Sequence, residues 1–114
     1  MLYKSLGLTA RQAAKVVAEI VEMVDRRMRD DEMLKNLKEK FSGNELLFAA
    51  FTLGRIVGMS FAIRDSRAAE SIISDFGRYL KIYREKGRGE LERVVAEEIL
   101  EETYREIEKV RDAV

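Results

Sequence analysis

The chain contains no cysteine and no histidine among its 114 residues. Without cysteine it can form no disulfide and has no thiol nucleophile, and without histidine it has no imidazole base. Zinc, haem and iron–sulfur sites built from its own side chains are excluded for the same reason. Any bound metal must therefore be a hard cation held by carboxylates, and Mg²⁺ or Mn²⁺ fits that chemistry best.

Proline is also absent, so long irregular loops are not expected. Hydrophobic residues make up 46% and charged residues 37% of the chain, a balance that suits amphipathic helices. Amide side chains are few beside the many charged ones, which resembles the composition of thermophile proteins. The length allows one domain, residues 1–114.

The charges balance, with 21 Lys and Arg against 21 Asp and Glu. A neutral chain has no general attraction to nucleic acid or to acidic membranes, so we expect neither as a partner. The first residues lack the charged-then-apolar layout of a signal peptide, and we therefore expect a cytoplasmic protein.

The spacing of apolar residues and capping signals predicts an all-α fold, a four-helix-type bundle with one short extra helix. The first helix begins at a capping box formed by Thr9 and Gln12. The predicted ranges are Thr9 to Met28, a short helix from about Asp31 to Lys40, Leu46 to Ile63, Asp65 or Ser66 to the residue before Gly87, and Glu90 to the end.

The helix over 46–63 is apolar or small at almost every position. It approaches the length of a membrane span, but Arg55 would then lie near the middle of the bilayer, so we favour a central helix buried on several sides. Small residues recur in it every four positions, at Ala50, Gly54, Gly58 and Ala62. One small bundle cannot cover every face of such a helix, and we therefore predict a homodimer formed through it or its neighbour.

The last helix has a second apolar pattern, a coiled-coil-like seam in steps of four and three residues. The seam consists of Ala96, Leu100, Thr103, Ile107, Val110 and Val114.

Two carboxylates, Glu19 and Glu22, lie three residues apart on the first helix and project from one side of it. Such a pair can share a divalent cation. By itself the pair is a weak signal, and the ordinary explanation is a solvated face, with Glu22–Arg26 and Lys15–Glu19 as four-residue ion pairs.

The segment from Asn44 to Gly58, NELLFAAFTLGRIVG, resembles a helix of the MazG-like all-alpha NTP pyrophosphatases. That family has Glu-x-x-Glu on one helix and Glu-x-x-Asp on the next, running into Leu-Leu-Phe-Ala and then Leu-Ala-Arg with a glycine. Glu19 and Glu22 match the first pair, and Glu45 matches the aspartate. The resemblance covers about residues 13–60 and implies Mg²⁺, or Mn²⁺, held by Glu19, Glu22 and Glu45.

Two positions depart from the family pattern. The family's third acidic residue falls on Ser42, a poor Mg²⁺ ligand, and Glu45 is one methylene longer than aspartate. Ser42 and Glu45 also fit the pattern of a helix capping box, which would explain both residues without a further role.

The function that the resemblance implies is metal-dependent hydrolysis of a nucleoside triphosphate to the monophosphate and pyrophosphate. A basic run with interleaved tyrosines could supply phosphate contacts, for which Arg78 and Lys81 are the candidates; the alternatives are a solvated face and RNA binding. Two other functions stay open for the chain. One is a non-catalytic helical homodimer with a structural or regulatory role, and the other is a helical subunit of a nucleic-acid complex.

Overall fold

A computed structural model describes residues 2–62 and 67–112, and the side chains of residues 3–55, 76–109 and 111. The described part of the chain is all-helical, as predicted. Its helices are α1 (Leu2–Ser5), α2 (Ala10–Asp25), α3 (Asp30–Lys40), α4 (Gly43–Ala62), α5 (Arg67–Lys86) and α6 (Arg88–Asp112). None of these helices is long and apolar enough to cross a membrane.

The capping box that starts α2 forms as predicted. The Thr9 hydroxyl accepts a hydrogen bond from the backbone nitrogen of Gln12 at 3.1 Å. The side-chain oxygen of Gln12 accepts one from the backbone nitrogen of Thr9 at 2.9 Å. The helix ends at Asp25, three residues before the predicted Met28, because the chain turns at Arg27 with a φ of +55°.

The start of α4 also differs in detail from the prediction. The helix begins at Gly43, whose φ of +59° is one that glycine adopts without strain. The predicted partner of Ser42 in a capping box, Glu45, accepts instead from Gln12 Nε2 at 3.4 Å. The predicted caps of the third helix at Asp65 and Ser66 lie outside the described residues, and the surroundings of Gly58 and Ala62 are not described either.

The central helix is α2, which contacts α4, α5 and α6. Its alanines at positions 13, 14 and 18 are buried, and their small side chains let neighbouring helices approach closely. One core cluster fills the space between α2, α3 and α4, with Val16, Ile20, Met23, Met33, Leu37, Ala49 and Leu53. A second lies between α2 and α6, with Ala14, Ala18, Val21, Leu91 and Val95, and α5 packs against it.

The prediction that α4 is the buried central helix is wrong for its described half. Leu47 is 57% exposed and Phe51 is 52% exposed, and Ala50 and Gly54 also face outward. Only Ala49 and Leu53 of this half are buried. Apolar composition alone did not identify the centre of the fold, because the elements that pack on a helix lie elsewhere in the chain.

Helix α6 runs antiparallel to α2. Its N-terminal turn meets the middle of α2, and its later residue Ile99 packs near Ala13. Still farther along α6, the Thr103 hydroxyl pairs with the Tyr3 hydroxyl, both of them buried. Of the predicted seam on α6, Thr103 faces the core, whereas Leu100 and Ile107 are about half exposed.

Candidate functional site

Glu19 is the one buried acidic side chain among the described residues, with 1% of its surface exposed. It interrupts the apolar run from Val16 to Val21 on α2, and the other residues of that run supply both core clusters. A carboxylate in such surroundings is costly unless every acceptor position is satisfied. The structure satisfies it from two other helices.

The two oxygens of Glu19 accept three hydrogen bonds. Oε1 accepts from Asn36 Nδ2 and from Lys40 Nζ, both at 2.7 Å. These two donors lie one turn apart on α3, beside the buried Leu37, so the packing of α3 brings both to the same oxygen. Oε2 accepts from Arg88 Nη1 of α6 at 2.5 Å.

Arg88 joins Glu19 to a second carboxylate. Its Nη1 also donates to Glu22 Oε2 at 2.7 Å, and its Nε donates to Glu92 Oε1 at 3.1 Å. The other oxygen of Glu22 accepts from Arg26 at 2.7 Å. The carboxylates of Glu19, Glu22 and Glu92 thus meet the cations Arg88, Lys40 and Arg26, and the cluster is neutral. We call these six residues with Asn36 the ionic cluster.

The protonation of Glu19 follows from these contacts. Burial alone raises the pKa of Glu19, but hydrogen bonds from Lys40, Asn36 and Arg88, with the positive charge of Arg88, outweigh burial. The pKa of this carboxyl therefore lies below its ordinary value of 4.5, and Glu19 is ionised at neutral pH. Burial lowers the pKa of Arg88, yet its bonds to Glu19 and Glu92 raise it overall, so this guanidinium also stays charged.

The structure brings two of the three predicted metal ligands together. Glu19 and Glu22 converge on one nitrogen of Arg88, whereas Glu45 lies at the start of α4 against Gln12. Gln12 precedes Glu19 by seven residues of helix, which span about 10 Å along the axis. Among the described residues no group of three acidic side chains is arranged to hold a metal ion.

The ionic cluster does not fit Mg²⁺ or Mn²⁺. A cation bound by Glu19 would have to displace Lys40 or Arg88 from oxygens that they contact at 2.5 to 2.7 Å. The positive charges of Lys40 and Arg88 would then lie beside a divalent cation and repel it, because the charges of the ionic cluster already balance. Mg²⁺ and Mn²⁺ need carboxylate oxygens that can coordinate them directly.

The predicted phosphate-binding residues lie elsewhere. Arg78 of α5 forms a bidentate pair with Glu98 of α6, and Tyr79 donates to the same carboxylate at 2.6 Å. Glu98 follows Arg88 by ten residues, about 15 Å along α6, so Arg78 is not directed at the ionic cluster. Lys81 is exposed. Nearby Arg84 pairs with Asp25 at 2.6 Å, so ion pairs within the chain hold much of the basic run.

Five members of the ionic cluster were not among the predicted site residues: Arg26, Asn36, Lys40, Arg88 and Glu92. Three of these, Asn36, Lys40 and Arg88, contact Glu19 directly. A signal for them exists in the sequence. An acidic residue inside a six-residue apolar run, Val16 to Val21, must find buried partners, and Asn36 and Lys40 share one face of the short helix with apolar neighbours. Nothing local identifies Arg88 as the partner, because it lies 69 residues from Glu19.

Comparison of the chain with protein-family models, with curated proteins and with solved structures finds no match of any of the three kinds.

Proposed function

We propose that this chain is a non-catalytic helical protein that acts as a homodimer, in a structural or regulatory role. The observation that carries the first half of this proposal is the state of Glu19. Its carboxylate is buried, ionised and bonded to Lys40, Asn36 and Arg88. Its oxygens therefore hold α2, α3 and α6 together and are not free to bind a ligand.

The chemistry of hydrolysis supports the same conclusion. A metal-dependent hydrolase needs an ion with open positions for substrate and for the attacking water. The alternative without a metal needs a general base whose pKa lies near the working pH. Glu19 has a lowered pKa and no free oxygen, and the chain has no histidine to take the role.

The surface supports the second half of the proposal. Large apolar side chains remain about half exposed on two helices, Leu47 and Phe51 on α4 and Leu100, Tyr104 and Ile107 on α6. Large exposed apolar patches mark contact surfaces on folded proteins. A second copy of the chain is the simplest cover for a protein with balanced charge, because oligomers of identical chains are the commonest kind.

The second candidate is the nucleoside triphosphate pyrophosphohydrolase implied by the resemblance. One observation favours it, the convergence of Glu19 and Glu22 on Arg88 Nη1. For this function a substrate or an ion would have to draw Arg88 away from both carboxylates.

Release of pyrophosphate separates the two candidates. We expect none above background when the purified chain is incubated with nucleoside or deoxynucleoside triphosphates and Mg²⁺ or Mn²⁺. Static light scattering on the same sample should give the mass of a dimer. Pyrophosphate release that is retained by Glu39→Gln, an exposed α3 control, but lost in Glu22→Gln would contradict the non-catalytic proposal and favour the hydrolase.

A further inference from the structure

The far end of α6 presents an apolar stripe that the described part of the chain leaves open. Leu100, Tyr104 and Ile107 are 46%, 65% and 50% exposed. Their spacing of four and three residues places them along one face of the helix. Thr103, on the adjoining face of the helix, is the last buried side chain described in α6.

This end of the helix has little to stabilise it within one copy. Residues 104–109 are all exposed, and they extend the helix by about 9 Å past Thr103. Short helical segments are marginal in water unless an amphipathic face is packed. Nor do local ion pairs supply support. Among the described side chains no acidic or basic residue from Glu101 to Arg111 forms an ion pair, although Glu101 and Arg105 have the spacing for one.

The charges around this end of α6 are unevenly distributed. Four carboxylates and no cation lie in the seven residues before Tyr104, namely Glu97, Glu98, Glu101 and Glu102. Of these, Glu97 pairs with Arg93 of its own helix and Glu98 with Arg78 of α5. The seven residues after Tyr104 hold three cations and two carboxylates, Arg105, Lys109 and Arg111 with Glu106 and Glu108. Two copies of this helix side by side in parallel would place the acidic halves together. An antiparallel pair places each acidic half against the half that carries the cations.

The same face is complementary to itself at specific positions. Glu97 and Arg111 lie seven residues before and after Tyr104, two turns away on each side, and both are exposed. Glu97 also contacts Arg93 of its own helix at 2.6 Å, in an exposed ion pair that leaves its carboxylate accessible. In an antiparallel pair centred on Tyr104, Glu97 of each copy lies opposite Arg111 of the other. The two-fold axis generates two such pairs, and Leu100 and Ile107 lie between them and the axis.

We infer that α6 is the surface through which two copies of this chain associate, antiparallel about an axis at Tyr104. The inference rests on the proposed homodimer and names the helix that forms it. The contact runs from Glu97 to Arg111, about 21 Å of helix, which is a small interface. We therefore expect a dimer that dissociates on dilution.

Single cysteines test the geometry cleanly because the chain has none of its own. The variant Tyr104→Cys should form a disulfide-linked dimer under mild oxidation, since the two sulfurs meet at the axis. Glu97→Cys and Arg111→Cys should not link to themselves, because an antiparallel pair separates like positions by about 21 Å. Mixed in equal amounts, these two variants should link to each other.

The matched control is Phe51→Cys on α4, at a side chain of similar exposure. We expect no cross-link from it at concentrations where Tyr104→Cys is linked. Self-linking at positions 97 and 111 would overturn the antiparallel arrangement. A cross-link at position 51 without one at 104 would overturn the choice of helix and leave the proposed homodimer standing, whereas a monomer at all concentrations would overturn both. Pyrophosphate release beside a cross-link at position 104 would refute only the non-catalytic function.

A charge exchange gives an independent test in the absence of oxidation. Glu97→Arg and Arg111→Glu should each raise the dissociation constant of the dimer about tenfold. In either variant, positions 97 and 111 carry like charges, and the two-fold axis brings two such pairs together. The double variant should return it to within about threefold of the original. Sedimentation equilibrium measures these constants, and far-ultraviolet circular dichroism checks that each variant remains helical. Failure of the double variant to recover would contradict the Glu97–Arg111 pairing.

Discussion

The Nη1 atom of Arg88 donates hydrogen bonds to two carboxylates, to Glu19 Oε2 at 2.5 Å and to Glu22 Oε2 at 2.7 Å. The same guanidinium reaches Glu92 on its own helix. This arrangement fixes the N-terminal turn of α6 against the middle of α2. It also converts a pair of carboxylates that resembles a metal site into part of a neutral structural cluster.

Glu19→Gln should destabilise the fold by about 2–4 kcal/mol. The substitution removes the negative charge but leaves Lys40 and Arg88 close together, and breaking a buried ionic arrangement from one side has a cost of this order. Both cations are partly exposed, so they can turn toward water, and we expect the lower part of the range. Urea unfolding followed by circular dichroism measures the change. Glu39→Gln on the exposed side of α3 is the control and should change stability by less than about 0.5 kcal/mol. Equal stability of the two variants would show that the ionic cluster does not hold the helices.

Stability should fall as the pH drops below the ordinary carboxyl value of 4.5. The pKa of Glu19 is lowered in the folded chain, against the effect of burial, by Lys40, Asn36 and Arg88. Hydrogen bonding to Arg78 first, and then to Tyr79, lowers the pKa of Glu98 against the effect of burial. In that range the unfolded chain binds more protons than the folded chain, so acid favours unfolding.

Thermal unfolding measured from pH 7 to pH 3 checks this dependence. The stabilisation is fully present above 4.5 and is lost as the pH falls through the lowered pKa values. Glu19→Gln should show a shallower decline, because one of the linked protons is gone. An unchanged slope in that variant would argue that other carboxyls account for the acid sensitivity.

Divalent metal should leave the thermal midpoint unchanged. A ligand that binds only the folded state stabilises it, by about 2.7 kcal/mol at a hundred times its dissociation constant. The carboxylates that the resemblance implies as ligands are either paired with cations or, as with Glu45, apart from the pair. Scanning calorimetry with millimolar Mg²⁺, Mn²⁺ or chelator should therefore give one midpoint. A rise with either metal that disappears in Glu22→Gln would restore the metal-site interpretation.

The hydroxyl pair between Tyr3 and Thr103 should couple α1 to α6. Tyr3→Phe leaves the ring packed near Leu8 and Ala13 but removes the hydroxyl, and we expect a loss of about 1 kcal/mol. Thr103→Val should cost more, because it also removes the hydrogen bond to the Ile99 carbonyl at 2.8 Å and leaves the buried Tyr3 hydroxyl without its partner. The double variant should lose less than the sum of the two single losses. Additive losses would indicate that the two hydroxyls act independently.

The sequence alone determined the helical class, the capping box that starts α2 and the chemistry excluded by the missing cysteine and histidine. Helix periodicity and caps depend on residues within a few positions of one another, so they can be read locally. It also pointed correctly to the closeness of Glu19 and Glu22, because three-residue spacing on a helix requires it.

Only the tertiary structure decided which helix is central and what neutralises Glu19. The most apolar segment, α4, was predicted to be the centre, yet α2 occupies it because its alanines admit close neighbours on several sides. The partner of Glu19 lies 69 residues away in Arg88, on a helix whose position depends on the packing of every helix between them. Contacts of that range arise from packing free energy and not from local pattern, so no motif in the sequence could assign them.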